Sequence, residues 1–118
     1  MAANNRIRKN VKGLEIEVEV LLVKEGDYWV SYAPSLKLSS YGDSQAEAKK
    51  GFSEALEIFI DDTLKKGTLE RLLIEYGWTL SRNAYKPPPG FASAEVTNLL
   101  QSATGKPSVY TRKVPIPA

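Results

Sequence analysis

From Leu14 to Val23 the chain reads Leu-Glu-Ile-Glu-Val-Glu-Val-Leu-Leu-Val, and no other stretch constrains the fold as strongly. Successive side chains of a strand project to opposite faces. The period-two run therefore predicts a strand with Leu14, Ile16, Val18, Val20 and Leu22 turned to a core. Glu15, Glu17 and Glu19 then share the other, solvated face. Lys24-Glu25-Gly26-Asp27 reads as a turn in which Gly26 supplies permissive backbone, and residues 28–33 are aromatic and β-branched. The two runs predict an antiparallel hairpin. Pro34 ends its second strand, because proline has no N–H for a ladder. Residues 36–41 alternate weakly and predict a third, shorter strand.

A long helix is expected over residues 45–66. Gly42-Asp43 breaks the strand, and Ser44 stands three residues before Glu47. This is the spacing of a capping box, in which the serine oxygen accepts from the Glu47 N–H and the glutamate reaches back to the serine N–H. Ala48, Phe52, Ala55, Leu56, Phe59 and Ile60 recur at three- and four-residue steps as an apolar stripe. Asp61 with Lys65 and Asp62 with Lys66 are acid-before-base pairs four apart, and Gly67 is a natural stop. A second helix follows, capped by Thr68, with Leu69, Leu72, Leu73 and Tyr76 on one face and Gly77 closing it. Residues 78–85 read as a fourth extended segment.

Pro87-Pro88-Pro89-Gly90 interrupts the pattern, since each proline fixes φ and restricts its predecessor. The reading divides the chain into a basic N-terminal arm (1–13), a core domain (14–86) and a proline-rich C-terminal extension (87–118). In the extension Ser93 is placed to cap a short helix striped by Val96, Leu99, Leu100 and Ala103. Residues 108–114 look extended, and Pro115 and Pro117 are expected to stop them. Tyr28, Trp29, Phe52, Phe59 and Trp78 are read as core.

Charge is uneven along the 118 residues, whose net charge is +2. Residues 1–13 hold Arg6, Arg8, Lys9 and Lys12 and no acid; residues 14–81 hold thirteen acids against seven bases; residues 82–118 hold five bases against Glu95. An acidic middle thus lies between basic ends. Acidic surfaces suit basic protein partners, and basic segments suit nucleic acid. The chain contains no cysteine and no histidine, which removes disulfides, thiolate nucleophiles, Ser-His and Cys-His pairs and nearly all zinc sites. The carboxylates at Glu15, Glu17, Glu19, Asp43 and Glu47 are the candidates for holding a cation, but alternating glutamates are what a wet sheet face carries. The chain is read as non-catalytic, with no cofactor and no metal. No apolar run approaches a membrane span, and the charged first thirty residues predict no signal peptide, so a cytoplasmic protein is expected.

The arrangement of Tyr28, Pro34-Ser35-Leu36, Gly42-Asp43-Ser44 and Glu47-Ala48 resembles the HicB family, the antitoxins of bacterial toxin–antitoxin pairs. The resemblance covers residues 14–66 and extends loosely to 85. It implies a partial RNase H-like domain, homo-oligomers and a cognate partner that is a small, basic, RNA-cleaving toxin. The expected fold is α+β: a three- to four-stranded antiparallel sheet packed on one long helix in the order β-β-β-α-(α)-β, with an extra C-terminal helix and strand. Glu15, Glu17, Glu19 and Asp43 are the candidate partner-binding residues. The alternative is a nucleic-acid-binding regulatory protein using Arg6, Arg8, Lys9 and Lys12 with the basic tail. The tail shows no recognisable DNA-binding module.

Overall fold

A computed structural model of the chain describes residues 6–10, 13–80, 85–88 and 94–117. In chain order its elements are β1 (Arg6–Asn10), β2 (Gly13–Glu25), β3 (Tyr28–Ala33), β4 (Leu38–Gly42), α1 (Gln45–Lys66), α2 (Leu69–Glu75), β5 (Thr79–Leu80), β6 (Tyr85–Lys86), α3 (Ala94–Ser102) and β7 (Ser108–Pro117). The fold is α+β, an antiparallel sheet packed on one long helix.

The sheet is organised by β2, whose 13 residues serve three neighbours. On one flank β1 pairs with Gly13–Glu17 and β3 pairs with Leu21–Glu25, one after the other along the strand. On the opposite flank β7 pairs with β2 from Leu22 back to Gly13. The four strands β4-β3-β2-β7 form the layer between the helices, and β1 continues through β6 to β5. The β2–β3 hairpin turns through Gly26-Asp27, with Gly26 at φ 61°, a conformation open to glycine without steric cost.

One face of this layer carries Val18, Val20 and Ala33, and α1 covers it with Phe52, Leu56 and Ile60, as the helical spacing predicts. The helix lies close to β4 because two positions lack a side chain. A Cβ on Gly42 would stand 2.5 Å from the Ala48 nitrogen, and one on Gly51 would collide with Ser40 Oγ. Trp78 closes the same core, its indole N–H donating to the Ser35 carbonyl at 2.6 Å. The other face carries Leu21 and Val23, and α3 covers it with Val96 and Leu99, joined by Ala103 just past the helix end. The Thr104 N–H anchors that helix end on the Lys24 carbonyl at 2.8 Å.

Several expectations change. The C-terminal segment returns to the sheet and supplies both a helix on its second face and its longest partner for β2. The strand β7 runs through Pro115 and Pro117 instead of stopping before them; a proline nitrogen directed away from the neighbouring strand takes no bond from the ladder. Residues 79–80 and 85–86 form two short paired strands, Thr79 opposite Lys86 and Leu80 opposite Tyr85, in place of a single extended segment. The third strand begins at Leu38 because residues 34–37 form a turn held by Leu36 N–H on the Ala33 carbonyl at 3.2 Å. Thr68 makes no side-chain cap. Tyr28 is 56% exposed and lies outside the core. Ser93 and Lys12 lie outside the described residues.

Candidate functional site

The acidic residues singled out in the sequence separate into different environments. Glu15, Glu17 and Glu19 share one face of β2, as their spacing requires, but that face is not open to water: Glu17 and Glu19 are each 9% exposed. The reason lies in the neighbouring strands. The register sets Arg6 opposite Glu17 and Arg8 opposite Glu15 on β1, and sets Lys113 opposite Glu17 on β7. Lys113 Nζ stands 3.9 Å from Glu17 Oε2. Opposite charges facing each other across a ladder favour the register that pairs them, by about 0.2–1 kcal/mol per pair. Thus the register places basic positions of β1 and β7 opposite acidic positions of β2. Lys9 occupies the position opposite Leu14.

Asp43 is elsewhere. It follows the edge strand β4, is exposed, and its backbone N–H donates to Glu47 Oε2 at 2.9 Å. The Glu47 N–H donates to Ser44 Oγ at 3.1 Å. The capping arrangement therefore forms with one change: the glutamate reaches back to the residue before the cap instead of to the cap itself. Among the described residues no three acidic side chains come together as a metal ion would require.

An acidic surface not singled out in the sequence does face solvent. Along α1, Glu54, Glu57, Ile58 and Asp61 fall on one side at helical spacing and all are exposed, with Ile58 at 69%. Asp62 extends the patch. Asp61 and Asp62 pair with Lys65 and Lys66 at 3.0 and 3.2 Å, whereas Glu54 and Glu57 have no ion-pair partner among the described residues. An isoleucine ringed by carboxylates supplies an apolar anchor within a negative field, the combination that recognises a basic protein surface. The signal was present in the sequence. Ile58 lies opposite the buried stripe of Phe52, Leu56 and Ile60, and the acids flank it at three- and four-residue steps.

Two tyrosines have perturbed phenols on opposite faces of the sheet. Tyr110 of β7 is held above the ordinary range by burial; its hydroxyl donates to Ser31 Oγ at 3.1 Å, and Lys49 Nζ lies 5.0 Å from its ring centre. On the α3 face, Val30, Tyr32, Ser39, Tyr41, Glu95 and Leu99 line a groove of ≈ 170 Å³. Burial first, and the Glu95 carboxylate second, raise the Tyr32 phenol. No helix among the described residues is long and apolar enough to cross a membrane. Comparison with protein-family models, with curated proteins and with solved structures finds no match.

Proposed function

We propose that this chain is a non-catalytic, HicB-like antitoxin of the bacterial cytoplasm that binds and neutralises a small, basic, RNA-cleaving toxin. The observation that carries the reading is the solvent face of α1, where Glu54, Glu57 and Asp61 surround the exposed Ile58. An RNA-cleaving protein must present positive charge to its substrate. A rigid helix offering negative charge and one apolar anchor competes for that surface. The contact is moved by this reading from the β2 glutamates, of which Glu17 and Glu19 are nearly buried, to the helix.

Co-expression with a small basic protein, sought first in the reading frames beside this chain's own, tests the proposal. The expected result is a complex that co-purifies and restores growth of cells making the toxin. The Glu54→Lys/Glu57→Lys variant should lose both effects while remaining folded. Failure of the wild-type chain to bind or neutralise that protein overturns the reading. Tight binding to duplex DNA that weakens steeply with salt would instead favour the nucleic-acid alternative.

A further inference from the structure

We infer that two copies of this chain associate through the free edge of β7, paired antiparallel about a two-fold axis at Thr111. The phase of the ladder identifies the groups available. The two-residue turn Gly26-Asp27 is closed by Glu25 opposite Tyr28, and the pair closing such a turn exchanges both backbone hydrogen bonds. Bonded and non-bonded pairs alternate along antiparallel strands. The odd-numbered residues of β2 near the turn therefore bond toward β3, and Leu22, Val20 and Val18 bond toward Ser108, Tyr110 and Arg112 on β7. The N–H and C=O groups of Val109, Thr111 and Lys113 point away from β2.

The prolines give the same phase independently. Pro115 and Pro117 share the parity of Thr111, and a strand accepts proline where its nitrogen faces outward. Pro115 also ends the row of outward donors beyond Lys113. Among the described residues no strand pairs with this side of β7. An edge of unpaired backbone groups is a template for another strand.

A second copy fits because the segment is complementary to itself. With Thr111 opposite the partner's Thr111, Val109 meets the partner's Lys113 and Tyr110 meets the partner's Arg112. This register engages all three outward residues. Shifts that centre the axis on Arg112 or Lys113 set like charges directly opposite each other, which is destabilising. The pairing covers Val109, 51% exposed in the single chain, and brings a guanidinium to the Tyr110 ring. Such a contact is isologous and closes after two copies, joining two sheets into one. It does not depend on the function proposed above.

Sedimentation equilibrium of the full chain tests the inference, with twice the chain mass expected. Thr111→Pro removes the central outward N–H and leaves the bonds to β2 in place. It should yield a monomer with an unchanged circular dichroism spectrum. Thr111→Lys, which sets two ammonium groups on the axis, should do the same should the proline variant fail to fold. Because the chain contains no cysteine, Thr111→Cys should form an intermolecular disulfide on mild oxidation, and Val109→Cys should not. A wild-type monomer at all concentrations, a dimer that survives both Thr111→Pro and Thr111→Lys, or equal cross-linking of the two cysteine variants would overturn it.

Discussion

The glutamates of β2 and the acids of α1 have the same chemistry and opposite fates. Glu17 has a strand on each flank, β1 and β7, and Glu19 has Thr111 of β7 opposite it, so their exposure is decided by segments that lie far away in the sequence. Glu54, Glu57 and Asp61 sit on a helix whose buried side is fixed by its own 3.6-residue period, so their exposure is decided locally. A carboxylate on a central strand stabilises the fold only in company with its cations. One on the outer face of a helix is available to a partner.

Reversing charge in each region breaks the comparison most directly. Glu19→Lys places an ammonium at a nearly buried position built around a carboxylate. It should lower the free energy of unfolding by about 3 kcal/mol or more, as expected when a buried charge loses its partners. Glu57→Lys, at an exposed helical position, should change it by less than about 0.5 kcal/mol. Urea unfolding of the two variants measures the contrast; equal costs would remove the distinction between the regions. Binding should show the reverse order. Ile58→Asp should weaken the proposed toxin complex by at least about tenfold, equivalent to about 1.4 kcal/mol, and Glu15→Gln should leave it unchanged. Calorimetric titration of both variants against the basic partner reads the difference.

Removing a cation is the milder probe. Lys113→Ala takes away the residue opposite Glu17, but the pair is 3.9 Å long and the lysine side chain is 61% exposed. The loss should be about 0.5–1 kcal/mol and should shrink at high salt, as for other solvent-screened pairs. A salt-independent loss of several kcal/mol would mean that the ladder depends on Lys113 far more than its geometry implies.

The same division explains what could be read without coordinates. Alternation from Leu14, the glycine at 26 and the capping signals at Ser44 and Glu47 are local, and they specified the hairpin and the bounds of α1. The faces of β2 were also legible, since parity alone separates Val18 from Glu19. What covers those faces was not. Nothing near Glu17 announces that Lys113 will stand opposite it, because the register between residues 17 and 113 is set by the turns and by α3 docking on Leu21 and Val23. Pro115 and Pro117 look like terminators because a proline stops a strand paired on both sides, whereas on an edge it selects which side remains free. Ile58 carries a weaker signal of a different kind: a single apolar residue on the polar side of a helix is common, and only the flanking acids set it apart.

The smallest expected effect extends the comparison to a third acid, Glu95 on α3. Tyr32 is partly covered by this helix, and its phenol is raised above 10.0, by burial first and by the Glu95 carboxylate second. An unfolded tyrosine releases its proton near 10.0, while the folded chain retains it to higher pH. The native state therefore binds more protons across that window, and stability falls as pH rises from 10.0 toward the raised folded value. Tyr32→Phe should flatten this part of the pH profile. Glu95→Gln should lower the folded phenol's titration midpoint without abolishing the shift, because the larger cause, burial, persists. Ultraviolet titration of phenolate formation, compared with the Tyr110→Phe background to remove the other raised phenol, measures the change. A midpoint unmoved by Glu95→Gln would mean that the charge of α3 does not reach Tyr32. Glu95 would then join the solvent-facing acids of α1 and not the carboxylates that act within the fold.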